Sequence, residues 1–132
     1  MRVLVVEDEA LIALLIKHAL VQAGHEVVGP VSSVARALRL AQEEPVDLAL
    51  LDIDLGRGGN GVDLARCLCE RQGLPCLFAS GSTHEAREAR DVALGLLNKP
   101  YGSKDVVLAV EAAGVLMGGR TPAQVPAGME IF

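Results

Sequence analysis

Aromatic residues are scarce in this sequence of 132 residues, which has no tryptophan, one tyrosine and two phenylalanines. Hydrophobic residues nevertheless make up 51% of the chain. The core is therefore expected to consist of Val, Leu, Ile and Ala, a composition that favours close packing of helices on a sheet. A chain of this length is expected to form one domain around one core.

Three further features are missing, and each argues against a class of protein. The formal charge is -5 and no basic patch is visible, which argues against direct DNA binding. No apolar run reaches the roughly 18 residues of a membrane span and no basic leader precedes the first apolar run, so a soluble, cytoplasmic protein is expected. The three cysteines, Cys67, Cys69 and Cys76, lack metal-ligand spacing and are expected to be reduced thiols.

Five short apolar runs alternate with amphipathic segments along the chain. The pattern predicts strands over 2–6, 25–28, 46–51, 76–79 and 94–97. It predicts helices over 9–23, from Ser32 or Ser33 to about 44, and over 62–72, 84–91 and 104–117, with Thr83 and Ser103 as N-caps of the last two. This alternation predicts an α/β fold, a (βα)5 doubly wound parallel sheet of five strands with helices on both faces.

The end of the chain differs in composition from the rest. Residues 118–132 mix Gly, Pro, Ala and Thr with little periodicity. They are predicted to form a flexible C-terminal tail after a domain of residues 1–117.

Polar residues follow the predicted strands at their carboxyl ends, where open sheets of this kind bind ligands. Glu7 and Asp8 follow the first strand, Asp52 the third, Ser80 the fourth and Lys99 the fifth. Carboxylates about 4 to 6 Å apart repel by roughly 4 kcal/mol per pair at an effective dielectric near 20. A hard divalent cation such as Mg²⁺ is therefore expected among them.

The same residues suit phosphoryl transfer. Lys99 supplies a fixed positive charge, and the hydroxyl of Ser80 can bind a phosphoryl oxygen. Asp52 is then the nucleophile, which forms an aspartyl phosphate. The Lys99–Pro100 peptide bond is predicted to be cis.

These motifs resemble the receiver domains of bacterial two-component response regulators. The resemblance covers residues 1–117 and implies a flavodoxin-like sheet with strand order 2-1-3-4-5. Its carriers are Glu7-Asp8 in "LVVEDE", Asp52 in "LALLDIDL", Ser80 in "LFASG" and Lys99 in "LLNKPY".

The resemblance also implies roles and partners. Asp52 would accept a phosphoryl group from a sensor histidine kinase or a histidine phosphotransfer protein. Asp8 and Asp52 would bind Mg²⁺ directly, Glu7 through water, and Asp54 through its backbone carbonyl. Ser80 and Lys99 would contact the phosphoryl oxygens. The protein would then be a signalling phosphoacceptor rather than an enzyme.

Two positions depart from the family pattern. Leu96 stands where well-known receivers carry a Tyr or Phe that moves on activation, and Tyr101 is the nearest aromatic substitute. The tract Phe78-Ala79-Ser80-Gly81 is similar to the Phe-Ala-Thr-Gly tract of a subgroup that lacks this aromatic and often occurs as stand-alone receivers. The second departure is Asp54, whose charge is expected to alter the lifetime of the phosphoryl group.

The favoured hypothesis is a stand-alone receiver whose phosphorylation at Asp52 changes its binding to a downstream protein. A homodimer through the face of helix 4, strand 5 and helix 5 is possible on this hypothesis. One alternative is a degenerate receiver that binds a partner constitutively, motivated by Leu96 and Asp54. The other is a haloacid-dehalogenase-type phosphatase, which would use Asp52 and Asp54 as its D-x-D pair.

Other motifs are interpreted as ordinary structure. The glycines at 56, 58, 59 and 61 match neither phosphate-binding nor dinucleotide-binding patterns and predict a flexible turn. The three histidines, His18, His25 and His84, have no partner at ligand spacing and are expected to have surface or core roles.

Overall fold

A computed structural model describes all residues from 1 to 132, and a single mixed sheet forms its centre. The strands are β1 (Arg2–Val6), β2 (Glu26–Val31), β3 (Leu48–Leu51), β4 (Cys76–Ser80), β5 (Gly95–Asn98) and β6 (Met129–Ile131). Their order in the sheet is β2-β1-β3-β4-β5-β6. The first five strands are parallel, which confirms the predicted doubly wound fold and the order 2-1-3-4-5.

Five α-helices connect the strands, as predicted. They are α1 (Ala10–Gln22), α2 (Val34–Glu43), α3 (Gly61–Gln72), α4 (Thr83–Glu88) and α5 (Ser103–Met117). Short 3-10 turns occur at Gly56–Gly58 and Arg90–Val92. The predicted fourth helix thus ends early and continues as a 3-10 turn. None of the helices combines the length and the apolar character that crossing a bilayer requires.

Local side-chain contacts explain where several helices begin and end. Ser33 caps α2, since its hydroxyl accepts the Arg36 backbone N–H at 3.2 Å. Asn60 caps α3 by accepting the Val62 backbone N–H at 2.7 Å. Gly73 ends α3 in the left-handed conformation, at φ 61°.

The predicted caps Thr83 and Ser103 are wrong, because each is the first residue of its helix. The residue before α4 makes no side-chain cap bond. At the start of α5, the carboxylate of Asp105 accepts the Gly102 backbone N–H at 2.8 Å. An acid in the first turn therefore bonds back to the residue that precedes the helix, which is one half of a capping box.

The core lies on both faces of the sheet, because successive strand residues point to opposite sides. One cluster contains Leu4, Leu51 and Phe78 and packs against α2, α3 and α4. The other contains Val5 and Leu50 and packs against α1 and α5. Aliphatic side chains dominate both clusters, as the composition predicts.

The C-terminal residues differ from the prediction of a flexible tail and a five-stranded sheet. Met129–Ile131 form a sixth strand, antiparallel to β5, with Leu96 opposite Glu130. A strand of three residues is too short to show alternation in the sequence. Its pairing is instead decided by contacts with the free edge of β5, which the composition of the tail does not reveal.

Candidate functional site

The carboxyl ends of β1, β3, β4 and β5 meet at one edge of the sheet. Glu7 and Asp52 directly follow β1 and β3, and the Asp52 backbone N–H donates to the carbonyl of Val6 at 2.9 Å. Lys99 directly follows β5, and its backbone N–H donates to the carbonyl of Ser80 at 3.1 Å. Parallel pairing of adjacent strands thus brings residues that are distant in sequence to one place.

Three carboxylates form a compact acidic cluster at this edge. One carboxylate oxygen from each of Glu7, Asp8 and Asp52 lies within 4.8 Å of the others. Glu7 and Asp52 are only 3% and 5% exposed, whereas Asp8 is exposed. Glu7 is held in place because its Oε2 accepts the Glu9 backbone N–H at 3.1 Å.

Lys99 supplies the positive charge that the sequence predicted. Its Nζ lies 2.8 Å from Oδ2 of Asp52 and 3.1 Å from Oε1 of Glu7. A third carboxylate, that of Glu9, lies 3.4 Å from the same nitrogen. The Lys99–Pro100 peptide bond is cis, as predicted.

The surroundings of the cleft change the pKa of Glu7 and of Lys99. Burial raises the pKa of Glu7 from 4.5 to about 7, and the charge of Asp52 adds to the shift, although the Glu9 backbone N–H and Lys99 oppose it. Burial alone would lower the pKa of Lys99, but its bonds to Asp52 and Glu7 outweigh this and raise it. Lys99 is therefore charged at neutral pH, and the pKa of Glu7 lies well above the usual range of a carboxyl group.

A cleft of about 400 Å³ opens over these groups. Ser80 lies in its wall, with its hydroxyl oxygen accepting the Ser82 backbone N–H at 3.1 Å. The exposed Asp54 carboxylate accepts the Gly56 backbone N–H at 3.0 Å. The lining contains no hydrophobic residue and consists of Asp8, Glu9, Asp52, Asp54, Ser80, Gly81, Ser82 and Lys99.

The donor set fits a hard divalent cation. Carboxylate oxygens are the ligands that Mg²⁺ prefers, and the partly open cleft leaves room for the waters it retains. The charge balance points the same way, since one ammonium group faces an excess of acids. Those acids are Glu7, Asp8, Glu9, Asp52 and Asp54.

Glu9, Gly81 and Ser82 line the cleft but were not predicted as site residues, and two of them contact predicted residues. Glu9 contacts Lys99, and Ser82 binds Ser80 through its backbone N–H. Glu9 could have been found, because it is the third acid in succession after β1, in Glu7-Asp8-Glu9. Ser82 offered no such signal, since the contact is made by its backbone.

Leu96 and the aromatic residue suggested as its substitute, Tyr101, lie on opposite faces of the sheet. Leu96 is 1% exposed and belongs to the core cluster that contains Phe78. Tyr101 packs against the opposite cluster, and its buried hydroxyl has no hydrogen-bond partner. Burial raises the pKa of Tyr101.

His25 and His84 lie away from the acidic cluster, whereas Gly61 lies beside it. His25 Nδ1 lies 3.2 Å from the N-terminal nitrogen, and His84 pairs with Glu88 on the exposed surface of α4. Gly61 begins α3, and its backbone N–H donates to the carbonyl of Ile53 at 2.7 Å. A side chain at position 61 would collide with the backbone carbonyl of Asp52. This glycine is therefore a tight contact beside the site rather than a flexible point.

Comparisons with known proteins identify the family of this chain. A family model described as the response regulator receiver domain matches residues 3–111. The transcriptional regulatory protein PdtaR of Mycobacterium tuberculosis (strain CDC 1551 / Oshkosh) is 31% identical over 115 residues, which are 85% of this chain and 56% of PdtaR. The chain thus spans about half the length of this relative.

Solved structures give the same result for the fold. The N-terminal domain of a response regulator/sensory box/GGDEF protein from Carboxydothermus hydrogenoformans is 28% identical with a TM-score of 0.79, over 90% of this chain and 98% of that chain. The receiver domain of NtrX from Brucella abortus is 29% identical with a TM-score of 0.77, over 84% of this chain and 96% of that chain.

Proposed function

Because the chain belongs to the response regulator receiver family, we propose that Asp52 accepts a phosphoryl group in a Mg²⁺-dependent reaction and thereby controls binding to another protein. The contact between Lys99 Nζ and Asp52 Oδ2, at 2.8 Å beside the acidic cluster, is the observation that carries this proposal. This contact supports the proposal because the formation of an aspartyl phosphate requires a carboxylate nucleophile with a fixed cation beside it.

The roles of the side chains follow from their positions. Lys99 binds one carboxylate oxygen of Asp52, which leaves the other oxygen for attack on phosphorus. The new P–O bond forms as the bond from phosphorus to the donor's imidazole nitrogen breaks. Lys99 and the hydroxyl of Ser80 then bind phosphoryl oxygens, because both line the cleft above Asp52.

The acidic cluster would repel a phosphoryl donor without a second cation. We propose that Asp8 and Asp52 bind Mg²⁺ directly, that Glu7 acts through water, and that the backbone carbonyl of Asp54 completes the protein ligands. When bound, the ion neutralises charge on the phosphoryl oxygens. Burial of Glu7 against Asp52 leaves their mutual repulsion poorly screened, which favours cation binding.

The partners follow from the same chemistry. The donor is a sensor histidine kinase or a histidine phosphotransfer protein, and the readout is a downstream protein in the cytoplasm rather than DNA.

We propose that the receiver works without an output domain of its own, as the similarity of the tract Phe78-Ala79-Ser80-Gly81 to stand-alone receivers suggests. A homodimer through α4, β5 and α5 would have to contact β6, because β6 already pairs with the outer edge of β5.

The proposal is tested by intact mass measurement after incubation with Mg²⁺ and acetyl phosphate. We expect one phosphoryl group per wild-type chain, and none on Asp52→Asn or in the presence of EDTA. Asp63→Asn is the matched control, since Asp63 is an exposed acid on α3 outside the acidic cluster. This control should be labelled like the wild type.

Two other results would select the alternatives. An unmodified wild-type chain, under conditions that label an established receiver, would favour the degenerate receiver. Continuous hydrolysis of many equivalents of a phosphoester would favour the phosphatase.

A further inference from the structure

Strand β6 lies outside the residues 3–111 that match the receiver family, and it covers the free edge of β5. The cover extends past the strand at both ends. The Asn98 backbone N–H donates to the carbonyl of Gly128 at 2.8 Å, and the Phe132 backbone N–H donates to the carbonyl of Leu94 at 3.0 Å. We call residues 128–132 the C-terminal strap. The strap pairs with the whole outer edge of β5.

Side chains of the strap attach it to α4 as well. The guanidinium of Arg87 on α4 donates from Nε and Nη2 to both carboxylate oxygens of Glu130, at 3.0 to 3.1 Å. The guanidinium of Arg90, in the 3-10 turn after α4, lies 6.0 Å from the ring centre of Phe132. The strap therefore joins two elements, β5 and the α4 segment.

The close approach of the strap to β5 depends on Gly95. A side-chain carbon at position 95 would collide with the backbone carbonyl of Glu130, and its other nearest neighbours are also strap atoms of Glu130 and Ile131. Gly95 is buried, and any larger residue there would push the strap outward. The absence of a side chain at this one position thus permits the pairing.

Both elements that hold the strap lead directly into the cleft. β5 ends at Asn98, one residue before Lys99, and Asn98 is opposite Ser80 in the pairing of β4 with β5. α4 begins three residues after Ser80, and the hydroxyl of Ser80 accepts the backbone N–H of Ser82 in between. A change in the contacts of Ser80 or Lys99 therefore acts on both attachments of the strap.

We propose that the C-terminal strap is a phosphorylation-sensitive cover, which is docked while Lys99 pairs with Asp52 and is released when Asp52 carries a phosphoryl group. The inference rests on the proposed function. A phosphoryl group draws the hydroxyl of Ser80 and the ammonium of Lys99 toward its own oxygens. This displaces the connection between β4 and α4, and Arg87 moves with α4.

The strap has little to hold it once α4 moves. The guanidinium of Arg87 and the carboxylate of Glu130 form their hydrogen bonds in one relative orientation. A displacement of α4 therefore breaks the contact between these two groups. The remaining contacts are the pairing of a strand of three residues and the partly buried side chains of Met129 and Phe132, so this short strand at the sheet edge belongs to the less stable parts of the fold. Release leaves the backbone groups of the β5 edge unpaired. By linkage, loss of the strap in turn favours phosphorylation.

The test follows amide hydrogen exchange by NMR, with intact mass measured on the same samples. The two probes are the backbone amides of Phe132 and Asn98. The first donates to the carbonyl of Leu94 and the second to the carbonyl of Gly128, so both report on the pairing of the strap with the β5 edge. On addition of Mg²⁺ and acetyl phosphate to the wild type, we expect both amides to exchange at least tenfold faster. In Asp52→Asn, neither amide should change.

Substitution of Gly95 tests the strap without changing any residue that lines the cleft. Gly95→Ala should give fast exchange of both amides without any phosphoryl donor, and it should be labelled at least as fast as the wild type. Gly114→Ala is the matched control, because an added carbon there meets only the flexible end of Met1. Glu130→Lys, which puts a cation opposite Arg87 and Arg90 on the surface, is a second variant that should release the strap.

The outcomes distinguish the two proposals. A labelled wild-type chain in which both amides keep their slow exchange would overturn the strap proposal and leave the phosphoacceptor intact. A wild-type chain that is not labelled would overturn both. Slow exchange in Gly95→Ala and Glu130→Lys would also overturn the strap proposal, because neither contact would then hold the strap in place.

Discussion

Lys99 Nζ and Asp52 Oδ2 lie 2.8 Å apart, although 47 positions separate them in the sequence. Each follows a parallel strand, and β4 lies between those strands in the sheet. The same nitrogen also lies near Glu7 and Glu9. Lys99 is therefore the counter-ion of the acidic cluster before any phosphoryl group arrives.

Loss of this counter-ion should destabilise the metal-free protein. In Lys99→Met, Glu7 and Asp52 remain buried without a cation, so we expect the free energy of unfolding at pH 8 to fall by about 2 kcal/mol, less than for a fully buried pair because Lys99 is 22% exposed. Urea unfolding in EDTA measures the change, and Mg²⁺ should reduce it. Lys104→Met, at an exposed lysine of α5, should leave stability unchanged. Equal losses in both variants would contradict the assigned role.

Glu7 should make the stability of the metal-free protein depend on pH. Its pKa is about 7 in the folded state and 4.5 ordinarily, so the folded protein holds this proton more tightly than the unfolded chain does. The resulting stability is complete below pH 4.5 and is lost as the pH rises to about 7. The shift corresponds to a loss on the order of 3 kcal/mol.

Glu7→Gln removes this pH dependence. As the pH rises through this range, the free energy of unfolding in EDTA should therefore fall in the wild type relative to Glu7→Gln. Glu70→Gln, at an exposed acid of α3, should follow the wild type. If the wild type and Glu7→Gln changed in parallel with pH, the raised pKa of Glu7 would be wrong.

The metal site should depend on Asp8. Asp8 is the exposed member of the acidic cluster, and its replacement by Asn removes a charged oxygen ligand without disturbing the core. We expect Asp8→Asn to weaken Mg²⁺ binding, measured by titration calorimetry, and to slow labelling by acetyl phosphate to the same degree. Asp63→Asn again serves as the control. Undiminished labelling of Asp8→Asn would remove Asp8 from the site.

The fold and most of the cleft could be predicted because both depend on order along the chain. Alternating strands and helices determine a parallel sheet, and the residues after each strand then share an edge. Ser80, the last residue of β4, and Lys99, directly after β5, lie at this edge, although neither is informative alone.

Other features depend on contacts that the order does not determine. The strand β6 requires a close approach of Glu130 to Gly95 at the edge of β5, and that approach becomes apparent only in three dimensions. The start of α5 at Ser103 is accompanied by a bond from the Gly102 backbone N–H to the carboxylate of Asp105, which the pattern of the sequence did not single out. Gly61 was predicted to lie in a flexible turn. Its close contact with the backbone of Asp52 could not be predicted, because that contact arises from the path of the loop.

Asp54 should slow phosphorylation by small anionic donors. Its exposed carboxylate lines the cleft and adds a negative charge where acetyl phosphate must enter. At a surface, such a charge costs about 1 kcal/mol, so we expect Asp54→Asn to be labelled about fivefold faster at low ionic strength. Salt screens exposed charges, and the difference should shrink as the ionic strength rises. Asp63→Asn should show neither effect. A rate difference that did not respond to salt would mean that Asp54 acts through its bond to the Gly56 backbone N–H rather than through its charge.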